Sequence, residues 1–432
     1  MLQDPLCEVP VLVDGRPYFR GFDPRAVPSP CFVVDRAAID FNLRILRDTA
    51  LAGECKMLAA LKAFSCFAVF DQLRDYLWGA CASGLHEALL AREEIGREVH
   101  VFSPAYTETD LWHLLKIADH IVFNNLSQWR RFQQPCLAAA SGQADARLRE
   151  GREPLSFGIR INPEHSEGTT PIYDPCAPCS RLGVTRARWN AEISEAAAQG
   201  VSEDVLLEGI SGLHFHSLCE QGAEPLERTL HAIRERWGDV LQRSRMRWFN
   251  MGGGHHITKP DYNRSLLVRL VRDWAKAFDV DVYLEPGEAI AIHSGILVTS
   301  VLDVHQNEGP QVILDTSATC HMPDTLEMPY TPEIWGAEIL SGKTQQSPVA
   351  AWSARLGGQT CLAGDVIGDY AFPRPLGIGD RVIFDDMAHY TMVKTSTFNG
   401  IGLPAIAVYD SRTGDLQVVR EFGYADFRNR LS

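Results

Sequence analysis

Short apolar segments with β-strand character alternate with helical patterns through residues 55–285. Such alternation is typical of βα units around a parallel sheet, and eight strands with intervening helices predict a (β/α)8 barrel of the TIM type. The polar stretch Ser141–Pro154 interrupts the series and predicts an exposed insertion. The predicted strands are Cys55–Ala63, Gly79–Ser83, Val99–Ser103, His120–Asn124, Ser156–Asn162, Ile210–His216, Trp248–Gly253 and Val280–Glu285.

The pattern changes after Gly287, where strand-like segments follow one another with turns and few helices between them. These segments are Gly295–Val304, Gln311–Asp315, Arg381–Phe384 and Ala405–Tyr409. They predict a second, mostly β domain of the barrel or sandwich type. The region Pro10–Val34 also holds two strand-like pieces, VPVLV and CFVV, that suit the same domain. We therefore expect a barrel domain at 35–290 and a discontinuous β domain at 1–34 plus 291–432.

Charge and cysteine content exclude several classes of protein. The net charge is −14 without a cluster of Lys and Arg, so no nucleic-acid partner is expected, because a phosphate backbone is bound by clustered positive charge. Met1–Pro30 lacks the basic start and apolar stretch of a signal peptide, and no apolar run is long enough to span a bilayer. Eleven irregularly spaced cysteines are typical of free thiols in a reducing compartment. We expect a cytoplasmic protein without a membrane partner.

Three predicted strand ends carry chemistry that suits one cofactor. Lys62 ends the apolar run Cys55–Lys62, Asn250–Gly254 (NMGGG) follows a second strand, and Glu285 precedes a Pro-Gly turn. A lysine in apolar surroundings can form an imine, successive glycines let backbone N–H groups approach a phosphate, and a carboxylate can hold a proton on a pyridine nitrogen. Together they predict a pyridoxal phosphate site. Singly, each is also typical of a solvated strand end, a tight turn or a salt bridge.

Two other strands place polar side chains at the same end of the barrel. Arg160 in GIRIN is the candidate partner of Glu285 in either interpretation. His214 and His216 point to the same side of their strand, because side chains alternate. A metal site there lacks a third ligand, so we expect a flat imidazole against a cofactor ring. For His214, a buried core histidine remains the alternative.

Cys176 and Cys179 (DPCAPCS) have the spacing of half a zinc site or of a redox pair. No second CxxC or histidine-rich partner stands at a zinc-finger distance. We therefore interpret them as two loop thiols and predict no metal cofactor.

Long motifs over nearly the whole chain are similar to those of one enzyme family. They are Ala60–Phe64, Ala82–Leu90, Ile161–Glu167, Ile172–Gly183, His214–Glu220, Asn250–Thr258, Leu284–Ala289, Ser317–Tyr330, Cys361–Tyr370 and Met387–Gly400. In these motifs the chain resembles the pyridoxal phosphate decarboxylases of the alanine racemase fold, the superfamily of ornithine and diaminopimelate decarboxylases. Within it, the segments HFHSLCE, CHMPDTLEMP and CLAGD resemble the carboxynorspermidine/carboxyspermidine decarboxylases.

The resemblance implies a role for each matching residue. Lys62 would form an imine with pyridoxal phosphate, His216 would stack on the ring, and Glu285 would contact the pyridine nitrogen. The other residues expected to bind the cofactor are Gly252, Gly253, Gly254, Tyr390 and Arg160.

A homodimer with shared active sites is also implied, in which Cys361 and Asp365 come from the second subunit. Cys361 matches the cysteine that protonates the α carbon after carbon dioxide leaves. The substrate would be a small carboxylated polyamine, whose ammonium groups need acceptors because a buried charge without a partner is costly. The candidate acceptors are Glu220, Asp324, Glu327, Asp365 and Asp369.

Two positions depart from the family pattern. Ornithine-type enzymes carry an Arg after EPG that reaches the phosphate, whereas this chain has Glu288, a departure that the carboxynorspermidine group shares. Phosphate binding should then depend more on the backbone and on Tyr390. Cys179 stands where the CAP-x-SRLG loop would have Gly, which bears on the flexibility of that loop and not on the reaction.

The expected function is decarboxylation of carboxynorspermidine, carboxyspermidine or both, to norspermidine or spermidine, in polyamine biosynthesis. A decarboxylase of diaminopimelate, ornithine or arginine would share the cofactor site and differ in its substrate pocket. A racemase would need a second base, and a non-catalytic cofactor-binding barrel would lack the second domain. The preference between the two polyamines stays open, because one methylene is worth only about 1–3 kcal/mol in a pocket.

Overall fold

The computed structural model describes residues 5–10, 12, 15–168, 171–340 and 351–432. The chain divides into two compact units. Unit 1 contains Met1–Asn42, Ala63–Val69 and Ala291–Ser432, and unit 2 contains Leu43–Lys62 and Phe70–Ile290. The domain division at 35–290 and 1–34 plus 291–432 stays a prediction.

The described residues contain strands and helices in the following order. The strands are β1 (Cys31–Asp35), β2 (Lys56–Ala60), β3 (Gly79–Ala82), β4 (Glu98–Phe102), β5 (His120–Phe123), β6 (Ser156–Arg160), β7 (Ile210–His214), β8 (Trp248–Asn250), β9 (Asp281–Leu284), β10 (Gly295–Gln306), β11 (Pro310–Leu314), β12 (Glu338–Ile339), β13 (Trp352–Gly357), β14 (Val366–Phe372), β15 (Arg381–Phe384), β16 (Ala405–Asp410) and β17 (Asp415–Arg420). The α-helices are α1 (Arg36–Gly53), α2 (Phe70–Tyr76), α3 (Leu85–Leu90), α4 (Glu108–Ile117), α5 (Leu126–Arg149), α6 (Arg186–Ala198), α7 (Glu203–Leu206), α8 (Ala223–Leu241), α9 (Arg264–Phe278), α10 (Glu288–Ala291), α11 (Ala318–His321), α12 (Asp324–Glu327) and α13 (Tyr424–Arg428). No helix in this described part of the chain combines the length and the apolar composition that crossing a bilayer requires.

Unit 2 is a closed barrel of eight parallel strands, β2 to β9 in chain order. The predicted (β/α)8 barrel is confirmed, and each predicted strand overlaps an observed one. All eight predicted strands run too long at their carboxyl ends, because residues such as Leu61 and Lys62 already belong to the turns that follow the strands. Leu58, Val122, Trp248 and Tyr283 form one buried cluster, as expected for a barrel whose interior is a packed core.

The stretch Ser141–Pro154 is largely exposed, as predicted, but its first nine residues continue α5 to Arg149 and are not an insertion. Polar side chains of this stretch are used inside unit 2. Gln143 donates from Nε2 to the carbonyl of Leu115 at 3.1 Å. Arg147 is only 2% exposed and donates to the carbonyl of Ala118 at 3.1 Å. The polar composition therefore reflects hydrogen bonds to the end of α4 and not an irregular loop.

Unit 1 contains a nine-stranded sheet in the order β12-β14-β13-β11-β10-β1-β16-β17, with β15 paired to β10. The mostly β character expected after Gly287 is confirmed. The amino-terminal strand β1 pairs antiparallel with β10 and parallel with β16, so it joins the carboxyl-terminal strands as expected. Phe32 and Val33 belong to two different buried clusters of this unit. The other strand-like piece, VPVLV, includes positions 11 and 13, which lie outside the described residues, and its described residues form no strand.

Candidate active site

Four of the predicted site residues lie close together at the carboxyl ends of four barrel strands. Lys62 follows β2, Arg160 ends β6, His216 follows β7 and Glu285 follows β9. They line one cavity, and small-molecule sites are concave pockets of this kind, with a few polar groups placed to orient the ligand. The other lining residues are Cys81, Ala82, Ser83, Phe102 and His214. This is the end of a barrel at which such enzymes carry their chemistry.

Lys62 and His216 face each other in this cavity. The lysine Nζ lies 3.4 Å from Nε2 of His216. Burial, with the positive charges of Lys62 and Arg160, holds the pKa of His216 well below its ordinary value. Its Nδ1 accepts the N–H of Gly253 at 2.8 Å, which assigns the proton of the neutral ring to Nε2. The result is an uncharged, flat imidazole held in one orientation.

Glu285 is an ionised carboxylate inside the cavity. Burial on its own would raise the pKa of Glu285, but the contact with His214 and the charge of Lys62 lower it below its ordinary value. Nε2 of His214 lies 3.6 Å from the carboxylate, and His214 is buried. His214 thus faces the site and is not only a core residue.

Asn250, at the end of β8, forms hydrogen bonds to both the carboxylate of Glu285 and the glycine turn. Its Nδ2 donates to Oε1 of Glu285 at 2.8 Å, and its Oδ1 accepts the N–H of Gly252 at 2.8 Å. The backbone N–H of Glu285 in turn donates to the carbonyl of Gly252 at 2.8 Å. Asn250 belongs to the NMGGG motif, but no sequence pattern indicates that its amide contacts Glu285.

The glycine turn has a shape that other residues could not adopt. Gly252 has φ +67° and Gly254 has φ +83°. A Cβ atom on Gly254 would lie 1.9 Å from the carbonyl oxygen of Leu218. Because the N–H groups of Gly252 and Gly253 donate to Asn250 and His216, the N–H of Gly254 is the donor that the turn can offer to an anion.

Arg160 is a buried cation beside this site. It donates from Nη2 to the carbonyl of His216 at 2.8 Å, and its guanidinium lies 4.5 Å from the ring centre of Phe102. Burial lowers its pKa to about 10, although the charge of Glu285 acts in the opposite direction. Arg160 therefore supports the loop of His216 and influences Glu285 through charge.

Glu288, at the position where ornithine-type enzymes carry Arg, pairs with a histidine that follows the glycine turn. Its carboxylate lies 2.9 Å from Nε2 of His256. Both side chains are largely buried, with 17% and 10% of their surface exposed.

A model of the "Pyridoxal-dependent decarboxylase, C-terminal sheet domain" matches residues 31–388, most of the chain. The chain belongs to the pyridoxal-dependent decarboxylase family. It is therefore a carboxy-lyase that uses pyridoxal phosphate, and the predicted family, cofactor and class of enzyme are confirmed.

Two curated relatives and one solved structure resemble nearly the whole chain. The carboxyaminopropylagmatine decarboxylase of Synechocystis sp. is 40% identical over 94% of this chain and 96% of its own. The carboxynorspermidine/carboxyspermidine decarboxylase of Campylobacter jejuni is 38% identical over 94% of this chain and 98% of its own. The crystal structure of carboxynorspermidine decarboxylase from Campylobacter jejuni, complexed with norspermidine, has a TM-score of 0.81 at 37% identity, and the match covers 94% of this chain and all of that one.

The barrel site fits the cofactor of a pyridoxal-dependent decarboxylase. Lys62 offers an amine, Glu285 offers an ionised carboxylate, and the turn at Gly254 offers a backbone N–H without side-chain obstruction. The three features share one end of the barrel and suit an aldehyde, a pyridine nitrogen and a phosphate respectively.

Two groups of residues resemble metal sites. Among the described residues, Glu98, His100 and His120 have ligand atoms within 4.8 Å of one another. The two imidazole rings stack with centroids 3.9 Å apart and an angle of 14°, so their lone pairs run side by side and do not converge on one ion. Cys176 and Cys179 are free thiols. Cys179 has φ +65°, the left-handed region that favours glycine, which explains the expectation of Gly there.

The remaining predicted site residues of this decarboxylase, apart from Glu220, lie in unit 1. Tyr390 has φ +48°, and its N–H donates to the carbonyl of Ala63 at 2.8 Å. Cys361 is exposed, and its N–H donates to Oδ1 of Asn399 at 2.8 Å. Their catalytic roles stay predictions.

The carboxylates of the five candidate substrate acceptors differ in the hydrogen bonds and ion pairs that they already form within the protein. Asp365 is buried within several hydrogen bonds. Asp369 accepts both guanidinium bonds of Arg355 at 2.8 Å. Glu327 pairs with Lys394, and Glu220 is exposed with φ +53°.

Asp324 is buried and, among the described residues, leaves one carboxylate oxygen without a partner. Its Oδ2 accepts the hydroxyls of Tyr330 and Thr391, each at 2.7 Å. Its Oδ1 is buried, and no hydrogen-bond partner for it occurs among the described residues.

Proposed function

We propose that this decarboxylase acts on carboxynorspermidine or carboxyspermidine and releases norspermidine or spermidine in polyamine biosynthesis. The observation that carries the proposal is the 38% identity, over 94% of the chain, to a decarboxylase named for both substrates. The shape of the norspermidine-bound enzyme of Campylobacter jejuni, matched at a TM-score of 0.81, supports it.

A second candidate substrate is carboxyaminopropylagmatine, because the relative named for it is 40% identical over 94% of this chain. An agmatine tail ends in a planar guanidinium, whereas a polyamine tail ends in a compact ammonium. A guanidinium favours bidentate contact with a carboxylate, and an ammonium acts as a point charge. The substrate tail is therefore what distinguishes the two candidates.

The barrel residues supply the groups that the reaction needs. When bound, pyridoxal phosphate draws electrons from the Cα–carboxylate bond as it breaks. Lys62 would hold the cofactor through its side-chain amine and release it to the substrate, His216 would contact the ring, and Glu285 would keep the proton on the pyridine nitrogen. The lowered pKa of Glu285 supports this last role, because an ionised carboxylate attracts that proton.

Other assignments rest on the family resemblance. Tyr390 and the glycine turn hold the phosphate, and Cys361 returns a proton to the α carbon. The active form is a cytoplasmic homodimer whose subunits share their sites, with domains at 35–290 and at 1–34 plus 291–432. Free cysteines among the described residues are consistent with a reducing compartment.

Asp324 is the candidate we favour for binding a cationic group of the substrate. Its buried Oδ1 lacks a partner, and a carboxylate oxygen in that state gains most from a positive charge. The hydroxyls of Tyr330 and Thr391 fix its orientation.

The test incubates the cofactor-loaded enzyme separately with carboxynorspermidine, carboxyspermidine, carboxyaminopropylagmatine, meso-diaminopimelate, ornithine and arginine. Carbon dioxide release and amine products are followed by mass spectrometry. We expect norspermidine or spermidine as the main product. Turnover of carboxyaminopropylagmatine alone would select the second candidate, and turnover of only the smaller amino acids would overturn both.

Lys62→Ala is the negative control for this assay. We expect it to lose both turnover and the visible absorbance of the bound cofactor, because the amine is gone. Lys56→Ala is the matched control, since Lys56 lies at the start of β2 and pairs with Asp281 at 2.9 Å. It should retain the absorbance and the product pattern.

A further inference from the structure

Two backbone hydrogen bonds close the segment that carries Cys361 into a loop. The N–H of Gly358 donates to the carbonyl of Asp365 at 3.0 Å, and the N–H of Asp365 donates to the carbonyl of Leu362 at 2.9 Å. These two bonds make Gly358–Asp365 a compact loop between β13 and β14, with Cys361 near its middle. Cys361 itself is exposed, so its position depends on what holds the loop.

The carboxylate of Asp365 holds this loop from inside. Oδ2 accepts the hydroxyl of Thr360 at 2.7 Å and its N–H at 3.2 Å. The hydroxyl of Ser317 lies 3.0 Å from Oδ1 and 2.9 Å from Oδ2, and the N–H of Thr319 reaches Oδ1 at 3.3 Å. A carboxylate has about four acceptor positions, so these donors fill Asp365. It is better suited to fixing the loop than to receiving a substrate cation.

Asn399 holds the next residue of the loop. Its Oδ1 accepts the N–H of Cys361 at 2.8 Å, so the N–H groups of residues 360 and 361 are both bound by side chains. Asn399 has φ +58°, a conformation that asparagine adopts more readily than most residues. Its backbone thus turns the side chain toward the loop.

The two residues that hold the loop, Asp365 and Asn399, are both connected by hydrogen bonds to the region of the short helix α11. Ser317, which contacts Asp365, caps this helix through the N–H of Cys320 at 3.1 Å. The segment around Asn399 is attached on either side, because the N–H of Ser396 donates to the carbonyl of Cys320 at 2.7 Å and His321 pairs with the carbonyl of Gly402 at 2.9 Å. Helix α11 therefore fixes the position of Asn399 relative to the Cys361 loop.

We propose that Asn399 and Asp365 are positioning residues that hold Cys361 where it delivers its proton to the α carbon of the product. The inference rests on the proposed role of Cys361. If the thiol is displaced, the α carbon of the product is not protonated. The proton is then added to the cofactor carbon that belonged to its aldehyde group. Hydrolysis by water then yields an aldehyde and pyridoxamine phosphate in place of the amine and pyridoxal phosphate. The ratio of aldehyde to amine therefore reports the position of Cys361.

The experiment compares Asn399→Gly with Asn399→Asp. Glycine accepts a positive φ but removes the acceptor, whereas aspartate keeps both a carboxylate acceptor and tolerance of this φ. We expect Asn399→Gly to raise the aldehyde-to-amine ratio on the order of 10-fold, because small misplacements of a reacting group have effects of that size or more. Asn399→Asp should restore the ratio of the unmodified enzyme.

A second readout does not depend on the reaction. Hydrogen exchange of the peptide covering residues 358–365, measured on the cofactor-loaded enzyme, should be faster in Asn399→Gly and unchanged in Asn399→Asp. Asp365→Asn should raise the aldehyde-to-amine ratio in the same direction. Because Asp365 is buried and its loss endangers folding, the exposed Asn399 carries the test.

Cys361→Ala separates the possible failures. A raised aldehyde ratio in Cys361→Ala with an unchanged ratio in Asn399→Gly would overturn the positioning role and leave the proposed function intact. An unchanged ratio in Cys361→Ala would remove the protonating role and this inference with it. Absence of carbon dioxide release from every candidate substrate by the unmodified enzyme would refute the proposed function itself.

Discussion

Asn250 shows how one buried side chain can fix two parts of a cofactor site. It is 1% exposed, and its amide bonds both the carboxylate of Glu285 and the N–H of Gly252. In Asn250→Ala both groups lose a partner, and each buried polar group left unpaired costs about 1–3 kcal/mol. We predict that Asn250→Ala weakens pyridoxal phosphate binding at least roughly tenfold, the equivalent of about 1.4 kcal/mol, measured by fluorescence titration of the apoenzyme.

Asn263→Ala is the matched control for this prediction. Asn263 caps α9 through the N–H of Leu266 and also donates to Glu224 at 2.9 Å. Its loss should reduce the free energy of unfolding by about 1 kcal/mol without changing cofactor affinity. Equal affinity of Asn250→Ala and the unmodified enzyme would show that the amide is not needed to shape the site.

At the scale of elements, the end of α5 is joined to the start of β5 by a buried charge cluster. Asp119 is 4% exposed and pairs with Arg92, Arg147 and Arg152. It also accepts the N–H of Val99 at 2.8 Å. Burial would raise the pKa of Asp119, but Arg92 and the other two arginines lower it, so the carboxylate is ionised.

We predict that Asp119→Asn lowers the free energy of unfolding by about 3–5 kcal/mol, because removing one partner of a buried ion pair leaves uncompensated charge. Urea denaturation followed by circular dichroism measures the change. Glu150→Gln is the control, since Glu150 is exposed and meets Arg152 only at 3.5 Å, and such surface pairs contribute about 0–1 kcal/mol. A loss in Asp119→Asn no larger than in the control would contradict the role assigned to the cluster.

The barrel was predictable from the sequence because its buried strands are short apolar runs that helices separate. The second half of α5 was not, because Gln143 and Arg147 give it the composition of a loop while their partners lie on another element. Strands β12, β13, β14 and β17 were also missed. No residue of β12 or β17 is buried, and only two of the six residues of β13 are, so these strands lack a continuous apolar run.

The candidate site was predictable where a residue's role follows from its place at a strand end, as for Lys62 and Glu285. It was not predictable where a role depends on long-range hydrogen bonds. Asn250 reaches a partner 35 residues away, and Asn399 reaches Cys361 38 residues before it. No local pattern encodes such pairs, and the same holds for the donors that fill Asp365.

At the scale of the whole molecule, several histidines are buried in an uncharged form. Burial lowers the pKa of His255 and of His321 to about 4, and it lowers those of His120, His214 and His216 as well. In an unfolded chain, histidine has a pKa of about 6.5. Below pH 6.5 the unfolded state therefore binds protons that the folded state does not accept.

The free energy of unfolding should consequently fall as the pH falls from about 6.5 to about 4, by up to about 1.4 kcal/mol per pH unit for each such histidine. Asp385 and Asp35 act in the opposite direction, because burial raises the pKa of Asp385 to about 7 and also raises the pKa of Asp35, so their neutral folded forms are favoured at lower pH. Two carboxyl groups do not offset five histidines, so we predict lower stability at pH 5 than at pH 7.

His255→Gln tests this account at one position. His255 is 4% exposed, and its Nδ1 lies 3.1 Å from the hydroxyl of Tyr262, a contact that a glutamine amide can replace. Urea denaturation at pH 7 and pH 5 should show a loss of stability up to about 2 kcal/mol smaller in this variant than in the unmodified protein. His231→Gln, at a side chain 74% exposed, should leave the loss unchanged. An equal loss of stability in His255→Gln and the unmodified protein would show that proton uptake by His255 on unfolding does not contribute to the acid sensitivity. The other buried histidines would then account for it.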